Sequence, residues 1–205
     1  MQLKTTDTDV LLIIDVQNDF CPDGALAVND GDAVVPIINA LIPQFEHIVI
    51  TQDWHPAGHS SFASSHTNAD PFSMIEMSYG PQTLWPDHCI QGSSGAELHR
   101  DLDSTRSEMT IRKGYRTDID SYSAFFENDH KTPTGLNGYL HERGLNHVYC
   151  VGLALDFCVR FSAEDARKAG FNATVITPAC RGIDLEGSLD AALSSMRSSG
   201  VVLLD

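Results

Sequence analysis

The sequence predicts an α/β protein, a three-layer α/β/α, doubly wound sandwich around a six-stranded, mostly parallel sheet. Three observations carry that expectation. Short apolar runs alternate along the chain with segments whose apolar residues recur at helical spacing. The run Val10 to Ile14 is continuous, as in a strand buried on both faces of a parallel sheet. No linker, repeat or low-complexity segment divides the 205 residues, a length that suits one domain over 1–205. In order, Val10 to Ile14 is the first strand and ends at Asp15. After a loop with Pro22, Asp23 and Gly24, the segment Ala33 to Phe45 carries Val34, Ile37, Ile38, Leu41 and Ile42 at helical spacing. His47 to Thr51 is the second strand, with Asp53 just beyond it. Trp54 to Ser107 is rich in Ser, His, Gly and Pro and weakly periodic, and a loop of that length in a compact domain is usually functional. Met109 to Ile111 is the third strand, ending at Lys113 and Gly114. Leu136 to Arg143 reads as a short helix closed by Gly144. His147 to Val151 is the fourth strand, followed by a helix from about Phe157 to Lys168 that Gly170 closes. Ala173 to Thr177, a helix over Leu185 to Arg197, and Val201 to Leu204 complete the pattern.

Composition narrows the function classes. There are 28 acidic and 13 basic side chains, a formal net charge of −15, which argues against nucleic acid or an anionic membrane as partner. Near the N-terminus the longest apolar run is Val10 to Ile14, too short for a signal-peptide core or a membrane span, so a cytoplasmic protein is expected. Five cysteines with no CxxC pair read as free thiols in a reducing compartment. The sequence leaves a homo-oligomer open.

In open parallel sheets, ligands sit outside the carboxyl ends of the strands. Asp15, Asp53, Lys113 and Cys158 all fall at or just past such ends, so the architecture gathers them at one edge. Cys158, between a strand and a helix, would feel the positive end of the helix dipole, and a nearby Lys113 would favour thiolate further. Asp15 is available to collect the thiol proton, and backbone amides at the helix start to bind an oxyanion. A lone cysteine is more often a small buried hydrophobe; its company with Asp15 and Lys113 points to a nucleophile. Asp53 and His55 leave a strand at i and i+2, on one side, and could share a metal ion that His88 closes from the long loop. Such ligands suit Zn²⁺, Fe²⁺ or Mn²⁺. From spacing alone the set reads equally as solvated loop histidines. Phe20 and Trp85 could sandwich a flat ring. No GxGxxG, P-loop or GxSxG pattern occurs, which leaves no nucleotide fingerprint and no serine-hydrolase elbow.

These residues resemble the isochorismatase-like cysteine hydrolases, in their nicotinamidase/pyrazinamidase branch. The resemblance runs nearly end to end. It is carried by Asp15-Val-Gln-Asn-Asp-Phe20, Thr51-Gln-Asp-Trp-His-Pro56, Trp85-Pro-Asp-His-Cys89, Arg112-Lys-Gly114 and Gly152-Leu-Ala-Leu-Asp-Phe-Cys158-Val159. It implies a catalytic triad of Asp15, Lys113 and Cys158, with Lys113 keeping Asp15 and the Cys158 thiolate ionised. It implies one divalent metal, zinc ahead of iron or manganese, on Asp53, His55 and His88. It implies a cis peptide at Leu153-Ala154 that aims the Ala154 and Cys158 amides at one oxyanion, and a ring pocket of Phe20, Trp85 and Tyr122. His59 lies in a loop whose length differs among branches, and reads as an outer or water-mediated partner rather than a ligand. The implied reaction is hydrolysis of nicotinamide to nicotinate and ammonia through a thioester, a step of NAD salvage, with pyrazinamide as a further substrate. The alternatives are a hydrolase of another small amide or carbamoyl compound, and a non-enzymatic binding module of the same fold.

Overall fold

The computed structural model describes residues 2–205. Six strands form one sheet: β1 (Asp9–Ile14), β2 (His47–Asp53), β5 (Met109–Lys113), β6 (His147–Leu153), β7 (Asn172–Arg181) and β8 (Val202–Leu204). Their order is β5-β2-β1-β6-β7-β8, and every neighbouring pair is parallel. Four helices flank it: α1 (Val34–Leu41), α2 (Leu136–Glu142), α3 (Arg160–Lys168) and α4 (Ser188–Ser198). All six residues of β1 are buried, which accounts for the unbroken apolar run. Leu11 and Ile13 pack with Val34, Val35, Ile38 and Leu41 of α1 on one face. Val10, Leu12 and Ile14 pack on the other with residues of α2, α3 and α4, including Leu140, Ala163 and Met196. The helices therefore cover both faces, and the three layers follow.

The chain winds outward from β1 through β2 to β5, then returns to β6 beside β1 and winds outward the other way. The switch point thus lies between the carboxyl ends of β1 and β6, where the crevice of such a sheet opens. There the strands approach so closely that a Cβ on Gly152, at φ +116°, would lie 2.1 Å from the Ile14 carbonyl oxygen.

The structure departs from the sequence reading in three places. The long segment after β2 is not without regular structure: β3 (Met74–Met77) and β4 (Gly80–Thr83) pair as an antiparallel hairpin. Strand β7 runs past Thr177 to Arg181 through a bulge, since Cys150 faces Val175 but Gly152 faces Cys180. Pro178 lies in the looped-out stretch, where its missing N–H costs no ladder bond. Finally, helix α3 is preceded by a π-helical turn over Leu155–Val159 that contains Cys158.

Candidate active site

Asp15 follows β1, Asp53 and Lys113 end β2 and β5, and Cys158 follows β6. Asp53 and Lys113 are direct register partners, so their side chains leave the sheet on the same side. All four are buried, Asp15 and Lys113 at 0% and 1% exposure. The Lys113 ammonium lies 2.7 Å from Asp15 Oδ2, contacts Asp53 Oδ1, donates to the Ser121 carbonyl at 3.0 Å and reaches Cys158 Sγ at 3.4 Å. One cation thus bridges two carboxylates and the thiol. Burial opposes its charge, but Asp15 and Asp53 outweigh burial and hold the Lys113 pKa well above the ordinary range.

The same balance acts on the thiol. Lys113 favours the Cys158 thiolate, but it is not the largest influence on the thiol. Burial pushes the thiol pKa well up, and although Lys113 pulls it down, Asp15 and Asp53 add to the rise. Burial also raises the Asp15 pKa, with Lys113 opposing and Asp53 reinforcing. A thiol and a carboxylate whose proton affinities are both raised, side by side, can pass a proton between them during attack. Asp15 takes φ +49°, and Thr51 fixes it by accepting from its backbone N–H at 3.1 Å and donating its hydroxyl to Oδ1.

Asp53, His55 and His88 converge on one point. Asp53 Oδ2 lies 3.8 Å from His55 Nε2 and 3.7 Å from His88 Nε2. Each imidazole Nδ1 sits 2.8 Å from a carbonyl oxygen, that of Gly114 for His55 and that of Pro86 for His88. A carbonyl only accepts, so both Nδ1 atoms carry hydrogens and both Nε2 lone pairs face the carboxylate. Three acceptors with no donor among them make a cation site, and the carbonyls orient the rings as outer partners of metal-binding histidines do. Burial works against charge on His55, yet Asp53 and Asp120 raise its pKa.

His59 is not part of that convergence. The Ser61 N–H donates to its Nδ1 at 3.2 Å, which leaves Nε2 as the donor to the Ile119 carbonyl at 3.2 Å. Both nitrogens are engaged, and the ring packs 4.4 Å from that of His55, near Asp120.

The cavity above these groups is lined by Phe20, Trp85, Tyr122 and Ala154, together with Asp53, His55, His88 and Cys158. Trp85 meets Tyr122 edge-on at 6.2 Å and Phe157 at 4.9 Å, which leaves an apolar slot suited to a flat ring. The Leu153-Ala154 peptide is cis. Phe157 and Val159 both donate to the Ala154 carbonyl at 3.1 Å, folding the π-helical turn so that Ala154 and Cys158 border the same cavity.

Several wall and support residues escaped the sequence reading. Leu26, Phe157, Ile183 and Asp120 also line the cavity. Gln17 latches β2 by accepting from Asp53 N–H at 2.8 Å and donating to the Asp53 carbonyl at 2.8 Å. Only Phe157, adjacent to Cys158, had a local signal.

The chain is similar in sequence and fold to known proteins. The family model described as the isochorismatase domain matches residues 9–205. The nicotinamidase of Acinetobacter baylyi is 53% identical over 201 residues, 98% of this chain and 94% of that protein. Among solved structures, a protein of L. infantum in complex with nicotinate superposes with a TM-score of 0.87 at 40% identity, covering 100% of this chain and 96% of that one. The pyrazinamidase of Pyrococcus horikoshii in complex with zinc superposes with a TM-score of 0.77 at 34% identity, covering 97% and 99%.

Proposed function

The chain belongs to the isochorismatase family, and on that premise we propose that it is a cysteine amidohydrolase converting nicotinamide to nicotinate and ammonia. The observation that carries this reading is the cavity in which a buried Asp15–Lys113–Cys158 cluster stands beside three converging metal-type acceptors. A buried ion cluster alone could serve stability, and a metal site alone could be structural. Together they match what a carboxamide on a nitrogen-bearing ring requires. The relatives' names and the bound nicotinate support the substrate.

Asp15 accepts the Cys158 Sγ proton as the sulfur attacks the carboxamide carbon. The Ala154 and Cys158 amides stabilise the oxygen as it gains charge. Asp15 returns the proton to the departing nitrogen, ammonia leaves, and an acyl thioester remains. Asp15 then takes a proton from the attacking water and gives it back to the sulfur as the acid is released. Lys113 stays protonated throughout and offsets the negative charge that moves between Asp15 and Cys158. Phe20, Trp85 and Tyr122 hold the ring.

Asp53, His55 and His88 would hold one divalent ion, for which zinc is our assignment, supported by the zinc complex of the P. horikoshii relative. Bound there, it would supply a Lewis-acid anchor for the pyridine nitrogen. Pyrazinamide, which also carries a ring nitrogen, is a further substrate on this reading. We place the activity in the cytoplasm, in NAD salvage; among the described residues no helix is long and apolar enough to cross a membrane.

The test is ammonia release from nicotinamide and from benzamide, which has the carboxamide but no ring nitrogen, with the Cys158→Ala variant as control. Nicotinamide is expected to turn over and benzamide at least about 10²-fold more slowly, the scale of a misplaced reacting group. Equal rates would replace the nicotinamidase reading with a broader amidase.

A further inference from the structure

Gln82 does not border the cavity, yet it binds two residues of its wall. It lies on β4, in the hairpin that is separate from the six-stranded sheet, and is 1% exposed. The two hydrogens of its Nε2 are shared among three acceptors, the Tyr122 hydroxyl oxygen at 2.9 Å, Asp120 Oδ2 at 2.9 Å and the Thr83 carbonyl oxygen at 2.8 Å. Its Oε1 accepts from Asn128 Nδ2 at 3.0 Å and from the Tyr79 hydroxyl at 3.2 Å.

The direction of each bond in this network is fixed by chemistry. The Tyr122 backbone N–H can only donate, and it meets Asn128 Oδ1 at 3.0 Å. The other end of that amide, Nδ2, must then face Gln82 Oε1, and Gln82 Nε2 must face Tyr122. A ring of bonds closes from the Tyr122 backbone to its own hydroxyl through Asn128 and Gln82. Trp85 Nε1, also a pure donor, reaches the same phenol oxygen at 3.2 Å. Two donors thus face the phenol oxygen and turn its hydrogen away from them, and no hydrogen bond donated by that hydrogen is found among the described residues. Tyr122 lines the cavity beside Cys158.

We infer that Gln82 is a positioning residue for the hydrolysis: with Asn128 it holds Tyr122 at both ends, so that the phenol hydrogen is offered to an acceptor atom of the carboxamide substrate or carboxylate product. The inference rests on the amidase reading above. It makes the β3–β4 hairpin part of the substrate site without lining it.

A double-mutant cycle tests this with Gln82→Met, which keeps length but cannot donate, and Tyr122→Phe, which removes only the hydroxyl. In the metal-loaded enzyme Tyr122→Phe is expected to raise KM for nicotinamide about fivefold, the worth of one neutral hydrogen bond, with kcat within about twofold. Gln82→Met is expected to raise KM similarly in the native background, and by less than about half that factor in the Tyr122→Phe background. The Trp85 indole N–H resonance should move in both single variants. Multiplicative effects, or an unchanged KM in Tyr122→Phe, would overturn the inference, and the second result needs no folded Gln82 variant. Should the native enzyme release no ammonia from nicotinamide, the amidase reading fails by itself. The same cycle is then read in nicotinate binding, where additivity, or no binding, overturns the positioning role.

Discussion

Lys113 is the residue on which the charges of the site depend. Two buried carboxylates and a thiol face it, and among the described residues no second lysine or arginine contacts Asp15 or Asp53. Removing one partner of a buried ion pair leaves an unpaired charge at a cost of about 3–5 kcal/mol, so Lys113→Met is expected to be markedly less stable in urea. The same variant has a chemical signature. Lys113 favours the thiolate while burial, Asp15 and Asp53 oppose it, so losing the ammonium must raise the Cys158 pKa further. Alkylation of Cys158, followed against pH, is expected to shift to higher pH, and an unmoved profile would deny the electrostatic role. Cys158→Ala should behave differently: it removes the covalent step while the ion pair and the cation site stay intact. Amidase activity is expected to disappear with little change in melting temperature, and quenched turnover should leave an acyl adduct on the native protein by mass spectrometry but none on the variant.

Strand ends do the positioning at the scale of elements, and the turn after β5 shows how tightly. Gly114 takes φ +64°, and its carbonyl holds His55 Nδ1 at 2.8 Å. A Cβ there would lie 2.4 Å from His55 Cε1, and both the ring and the Asp53 carboxylate beside it are enclosed. Gly114→Ala is therefore expected to push His55 out of line and lower zinc content at equilibrium at least tenfold by elemental analysis, while Cys158 still reacts with small alkylating agents. Outer-partner changes at metal sites act on this scale. Such strand ends were legible in the sequence because short apolar stretches stop at polar residues: the unbroken run to Ile14 before Asp15, and Met109 to Ile111 two positions before Lys113. Winding brings those ends together, so Asp15, Asp53, Lys113 and Cys158 could be grouped without a structure. The β3–β4 hairpin could not. Strand β3 alternates exposed and half-buried residues, and β4 carries Gly80 and Pro81, which propensity reads as loop. Gln82 and Asp120 gain their roles from partners 38 to 40 residues away, Asp120 and Tyr122 for the one and Gln82 for the other, a separation no local pattern encodes. The influences on Cys158 were legible in part for a related reason: the helix dipole and Lys113 are visible in sequence, whereas burial beside two carboxylates is not.

For the whole molecule, the cation site joins pieces of chain that the sheet alone does not bind to one another. Asp53 and His55 belong to the β2 end, while His88 arrives from the long segment and is held there by its own loop contacts, such as the Asp19 carboxylate accepting from Cys89 N–H at 2.7 Å. An ion bound by all three favours only the folded chain, since the unfolded chain separates His88 from His55 by more than thirty residues, and linkage turns that preference into stability. At a free zinc concentration one hundred times the dissociation constant the gain is about 2.7 kcal/mol. For a domain of this size that corresponds to a rise in melting temperature of about 5–10 °C over chelated protein. The chain's formal charge of −15 opens a second route to the same rise, because any dication could stabilise it by screening. His88→Ala separates the two. It leaves the acidic surface untouched and removes one lone pair from the site, so the zinc-dependent shift is expected to fall to below about 2 °C, and a small shift with magnesium should be the same in both proteins. A zinc shift that survives in His88→Ala would mean that the ion acts on the surface charge, and the assignment of Asp53, His55 and His88 as its ligands would fall.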